Sequence, residues 1–144
     1  MIFALAACGK PPPPATPKGP PIPGVDYTWK IIGHVLTQAA LIDERDAVAW
    51  NGREITITAT GYASPFQGTC EQASKIRRAR QLSDVVMDLD APRSIITDYD
   101  FAGEVTEYKL TCRERKRPTL EIWVDPTGER ALTCFSGVCY FLRR

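Results

Sequence analysis

Eight of the chain's twelve prolines fall between Gly9 and Gly24: Pro11 to Pro14, Pro17, Pro20, Pro21 and Pro23. Proline has no backbone N–H and a fixed φ, so this stretch builds neither a helix interior nor a sheet ladder. It is expected to form an extended polyproline spacer, reaching at most about 50 Å at ~3.1 Å per residue. Whatever folds must come from residues 25–144, about 120 residues, enough for one modest hydrophobic core. That part holds all 17 acids and every basic residue except Lys10 and Lys18. It is close to neutral, so charge gives no general argument for nucleic acid as a partner.

The pattern after residue 25 is mainly β. Tyr27 to Leu36 reads as a strand whose alternation slips at Ile32-Gly33, where glycine marks a bulge. Asp43 is placed to cap a short helix, Glu44 to Trp50, ended by Asn51-Gly52, with Ala47, Val48 and Trp50 closing the core. Arg53 to Thr60 alternates as a half-buried strand, with Ile55, Ile57 and Ala59 inward. Gly61 to Thr69 reads as a loop broken by Pro65 and Gly68. In Glu71 to Met87, the apolar residues Ala73, Ile76, Ala79, Leu82 and Val86 predict a helix. Asp88 to Asp100 reads as an irregular connection.

Four further strands and their turns follow. Glu104 to Cys112 places Tyr108, Leu110 and Cys112 on one face. Thr119 to Val124 places Leu120, Ile122 and Val124 on one face and Trp123 on the other. Asp125-Pro126-Thr127-Gly128 is a turn. Glu129 to Phe135 and Val138 to Leu142 are strands joined by the tight turn Ser136-Gly137. The fold class is α+β, mainly β: a small antiparallel sheet of five or six strands, curled into a partial barrel with one or two helices.

Ahead of the proline stretch stands Leu5-Ala6-Ala7-Cys8. It resembles the lipobox of bacterial lipoproteins, in which a leucine and two small residues precede the cysteine that is lipidated. The resemblance implies that residues 1–7 are a truncated signal-peptide remnant and that Cys8 is the lipidation site. Residues 8–24 then tether a single globular periplasmic domain, 25–144, to the membrane. Gly9 rather than an aspartate after the cysteine implies the outer membrane, facing the periplasm. In size and compartment, such a domain is similar to the periplasmic lysozyme inhibitors and to the META-type domains of heat-shock lipoproteins. No residue is carried over from either.

An exported chain permits disulfides, and Cys70, Cys112, Cys134 and Cys139 remain. If Ser136-Gly137 is a two-residue turn, Cys134 faces Cys139 at a non-hydrogen-bonded site, where Cα atoms approach to roughly 4.5 Å. Cys70–Cys112 follows by elimination. Cysteine pairs at this spacing match neither a redox Cys-x-x-Cys nor the paired pattern of a four-cysteine zinc site. His34, the only histidine, reads as an ordinary strand side chain.

Two basic clusters are the candidate binding residues: Arg77, Arg78 and Arg80, and Arg113, Arg115, Lys116 and Arg117. A Cys70–Cys112 bond would let them share a face able to hold anionic headgroups, phosphorylated glycans or an acidic protein. The acids Asp43, Glu44, Asp46, Asp88, Asp90, Asp98 and Asp100 fit no complete calcium loop. No catalytic motif, metal site or cofactor fingerprint is present in the sequence. The expected function is a non-enzymatic binding domain on a lipid anchor, for a protein or envelope-polymer partner, with inhibitor or immunity roles included. A structural accessory lipoprotein and a carboxylate-based hydrolase are the alternatives.

Overall fold

A computed structural model describes residues 25–99, 103–114 and 118–144. Their strands are β1 Thr28–Leu36, β2 Glu54–Ile57, β3 Tyr62–Ser64, β4 Gly68–Cys70, β5 Ala73–Gln81, β6 Glu104–Cys112, β7 Leu120–Val124, β8 Arg130–Phe135 and β9 Val138–Arg143. Three short helices accompany them: α1 Glu44–Val48, α2 Leu82–Asp88 and α3 Ser94–Asp98. One nine-stranded sheet runs β4-β3-β2-β1-β9-β8-β7-β6-β5. Every junction is antiparallel. The chain makes one meander, β1 to β4, then a second, β5 to β9, which ends beside β1. The two edge strands, β4 and β5, are therefore consecutive in sequence and separated only by Glu71-Gln72. That corner curls the sheet into a nearly closed barrel.

The sheet buries both faces. On the inner face, Trp29, Ile31, Ile55, Leu110, Ile122 and Leu142 belong to one large cluster. Trp29 is fully buried, and its indole N–H donates to the Val25 carbonyl at 3.1 Å. Truncating it to alanine would cost about 3–5 kcal/mol. On the outer face, Val105, Trp123 and Leu132 pack under Leu82, Val85 and Val86 of α2, Ile95 of α3 and Tyr99 just beyond it. Trp123 lies on the face opposite Leu120, Ile122 and Val124, as its strand's alternation predicts.

Several local expectations are met. The β1–β9 register shifts between Ile31 and Gly33, at the predicted bulge. The Asp43 carboxylate accepts from the Asp46 N–H at 2.9 Å and caps α1. At the Ser136-Gly137 turn, φ is positive at both residues, 53° and 76°, as a type I′ hairpin requires. Phe135 faces Val138 and Cys134 faces Cys139.

Others are corrected. The predicted helix over Glu71 to Met87 is strand β5 followed by α2. The sparse apolar spacing of that stretch is no buried stripe, since Ile76 is 65% exposed. All nine residues of β5 instead pair with β6. The predicted loop Gly61 to Thr69 is the β3–β4 hairpin, whose three-residue strands are too short to show periodicity. Within the predicted irregular stretch Asp88 to Asp100, Pro92 precedes α3, and the Ile95 N–H donates to the Pro92 carbonyl at 3.0 Å. The strand predicted to Thr60 pairs only through Ile57, because the Thr58 hydroxyl and backbone bind Gly61 in a turn. Ala59 is accordingly exposed. Helix α1 stops at Val48, which is 49% exposed and closes no core, while Ala47 is fully buried. Nine strands stand where five or six were expected, and three helices where one or two were.

Candidate functional site

Strand β5 is the longest stretch of backbone paired on one side only. Its residues are exposed except for the half-buried Ala73 and Arg80. The direction of its free edge follows from three hydrogen bonds. Arg113 N–H donates to the Gln72 carbonyl at 2.9 Å, and Leu82 N–H donates to the Gly103 carbonyl at 2.8 Å, both on the β6 side. Ala73 N–H points the other way and donates to the Thr60 carbonyl at 2.8 Å. Backbone groups alternate sides along a strand. Ser74, Ile76, Arg78 and Arg80 therefore bond β6, while Lys75, Arg77 and Ala79 turn N–H and C=O outward and Gln81, the N-cap of α2, turns its N–H outward. Among the described residues no strand pairs with that outward edge.

Side chains alternate as well, and cross-strand partners share a face. Arg77 stands opposite Tyr108, and Lys75 opposite Leu110, on the inner face. Arg78 stands opposite Glu107, and Arg80 opposite Val105, on the face covered by α2. The centre of this outer face is Glu107, a carboxylate 3% exposed in the middle of β6. Arg78 Nε reaches its Oε2 at 2.5 Å. Arg80 Nη1 reaches its Oε1 at 3.1 Å, and Trp123 Nε1 donates to the same oxygen at 2.9 Å. Burial pushes the Glu107 carboxyl up, but hydrogen bonds from Arg78, Trp123 and Arg80 outweigh it and hold the group below its ordinary range. Arg80 also meets Asp88 of α2 at 2.6 Å, which ties the helix to the strand.

On the inner face Lys75 pairs with Asp26. Burial pushes the Tyr108 phenol up, and a hydrogen bond from Arg77 draws it part of the way back. Arg77 has no carboxylate partner among the described residues. Next to the start of β5, a groove of about 550 Å³ is lined by Ala59, Thr60, Gln72, Ala73, Ser74, Thr111, Cys112 and Arg113.

Two disulfides frame this arrangement. Cys70 joins Cys112 with Cα atoms 5.9 Å apart, and so clasps the end of β4 to the end of β6 across the sheet's seam. Cys134 joins Cys139 at a Cα separation of 4.0 Å. The bond at the seam does not gather the basic residues on one face. Arg77 and Arg78 point to opposite faces, and Arg80 lies at the far end of β5 from Cys112. Arg113 Nη1 binds Gln72 Oε1 at 2.6 Å beside the corner. Arg115, Lys116 and Arg117 lie outside the described residues, as do Cys8 and Asp100.

Two participants were not singled out as site residues from the sequence. Glu107 is one; its only trace there is an acid among the apolar residues of a strand with two apolar faces. The other is the pairing of His34 with Glu44. The His34 side chain is 7% exposed, its Nε2 lies 2.5 Å from Glu44 Oε1, and it joins β1 to the first turn of α1. Asp43 and Asp88, singled out as acids, serve as a helix cap and an arginine partner. No group of three or more metal-ligating side chains occurs among the described residues. No helix among them is long and apolar enough to cross a membrane.

The geometry defines a class: a curled antiparallel sheet, clasped by a disulfide at its seam and carrying one long, basic, open strand edge. Comparison with protein-family models, with curated proteins and with solved structures finds no match to this chain.

Proposed function

We propose that the protein is a lipid-anchored component of the bacterial envelope whose folded part is a binding domain for a protein partner. The observation that carries the binding role is the outward edge of β5, nine residues long and exposed, where the sheet's other edge strand, β4, has three. Proteins commonly shorten, cover, bulge or charge such edges; β5 keeps its full length and is guarded by its basic side chains. The location rests on Leu5-Ala6-Ala7-Cys8, followed by the proline tether. The two disulfides suit a chain exported to an oxidising compartment. On this reading Cys8 holds the domain at the outer membrane, and the tether gives β5 a reach of tens of Å into the periplasm.

The test has two arms in intact bacterial cells. Cys8→Ala should abolish fatty-acid labelling and release the protein from membranes; unchanged labelling would overturn the anchor. A photo-crosslinker placed at Ile76, on the exposed β5, should give one discrete protein adduct that the same probe at Leu41 or Val48 does not. Equal adducts from all three positions, or none from Ile76, would overturn the binding role.

A further inference from the structure

We infer that the β5 edge takes an extended, acidic segment of its partner as a tenth strand of the sheet. This inference rests on the binding role proposed above and names its chemistry.

The backbone carries the first half of the argument. Lys75, Arg77 and Ala79 each offer one outward donor and one outward acceptor, and Gln81, whose carbonyl begins α2 as its N-cap, offers its N–H alone. Residues that share one side of a strand recur at ~6.8 Å, the repeat of an extended peptide. Strand addition to such an edge draws affinity from main-chain bonds and specificity from the alternate side chains beside it. Ala79, exposed and short, leaves the middle of the edge open. The groove at Ala73 and Ser74 continues the edge toward the seam. The strand itself is held in place from its other side, by the β6 ladder and by Arg78 and Arg80 on Glu107. An incoming segment therefore meets a preformed edge and bears little of the ordering cost.

The side chains choose the occupant. Four of the nine β5 residues are basic: Lys75, Arg77, Arg78 and Arg80. Arg77 lacks a carboxylate partner among the described residues, and Arg78 keeps 59% of its side chain exposed although it touches Glu107. A carboxylate opposite either is favourable, and a like charge opposite either is unfavourable. A second copy is the poorer occupant, because two-fold pairing centred on Arg77 or Arg78 sets arginine against its own copy. A proline-rich segment lacks the N–H groups the ladder needs.

Hydrogen exchange on the full chain tests this, with a nine-residue peptide alternating glutamate and valine as the probe. In the free protein, the amides of Ile76, Arg78 and Arg80 should exchange slowly and those of Arg77, Ala79 and Gln81 fast. Saturating probe should slow the second set at least tenfold. Ala79→Pro removes one outward N–H and leaves the β6 ladder intact, since that amide points away from β6. It should weaken binding at least tenfold, as should methylation of the probe's backbone nitrogens. Arg77→Glu should weaken this probe and strengthen a lysine–valine one. Thermal unfolding confirms that each variant is folded, and Arg77→Glu carries the test if Ala79→Pro does not fold. Protection outside β5, binding indifferent to both variants, or concentration-dependent protection without probe would each overturn the inference. The last would identify a second copy as the occupant. If the probe fails while the Ile76 crosslink still captures its discrete adduct, the acidic-strand chemistry falls and the binding role stands. If both fail, both fall.

Discussion

Opening the seam gives the sharpest test of how the sheet is closed. The Cys70–Cys112 bond spans 42 residues of sequence, which include all of β5, α2, α3 and β6. The Cys134–Cys139 bond spans 5, across a hairpin the turn already closes. In the chain-entropy account, these separations convert to about 4 and about 2 kcal/mol of stability at 25 °C. The two bonds should therefore be unequal by roughly a factor of two. For a folded part of this size, 4 kcal/mol corresponds to about 15 °C in Tm. The Cys70→Ala/Cys112→Ala and Cys134→Ala/Cys139→Ala double variants, unfolded in urea, measure both. The first should also exchange faster at Ala73 and Arg113, whose N–H groups bind the Thr60 and Gln72 carbonyls beside the bond. Those bonds and Arg113 on Gln72 are what remain at the corner once the disulfide is gone. Equal losses, or a larger loss from the hairpin pair, would refute the view that this bond clasps the two edges of the sheet.

Two single substitutions, at a buried carboxylate and at a tight turn, have equally definite outcomes. Glu107→Gln leaves Arg78 without a carboxylate and Arg80 with Asp88 alone, and should cost about 2–3 kcal/mol, read from urea midpoints at pH 7. Because the folded state holds this carboxyl below its ordinary value of 4.5, its contribution is complete above that value and is lost as pH falls through the lower folded one. The variant should therefore lose less stability than the native protein as pH falls below 4.5; parallel pH profiles would exclude the role assigned to Glu107. Gly137→Ala would set a Cβ 2.1 Å from the Ala39 carbonyl oxygen at a φ of +76°. It should cost more than about 3 kcal/mol by lifting the Thr37–Leu41 segment off the hairpin, where Thr37 and Leu41 N–H groups bind Gly137 and Ser136. A fall in Tm under 5 °C would contradict it.

Strands β6 to β9 were legible because runs of apolar residues end at clear turns. Leu120, Ile122 and Val124 against Trp123 fix both faces of β7, and Ser136-Gly137 fixes the register that brings Cys134 to Cys139. The hairpin β3–β4 was not legible, because Tyr62–Ser64 and Gly68–Cys70, three residues each, are too short to repeat a period of two. Its turn was, through Pro65. Helix α3 hid behind Pro92, which reads as a breaker yet stands just before the first turn. The candidate residues Arg77, Arg78 and Arg80 were found by charge. Their division between two faces depends on the period of the element that carries them, which was read as helical.

That misreading of β5 has a physical cause that bears on function. A strand shows a period of two when one of its faces is buried, and β5 buries neither. Ala73, Ile76 and Ala79 fall at helical spacing while serving no core, and intrinsic preference gives no counter-signal in a run of lysine, arginine and alanine. What makes it a strand is distant in sequence: the β6 ladder, the Cys70–Cys112 clasp at one end and Glu107 gripping Arg78 and Arg80 toward the other. Glu107 is buried among outer-face apolar residues, where a carboxylate is costly unless fully paired. A hydrophobic residue there would pack against Trp123 at less cost, but it would not fix the arginines in place. The buried charge thus holds, from one side, a strand whose other side stays open. Local pattern fails where the chain keeps an edge unpaired, and that is also where a partner has backbone to read.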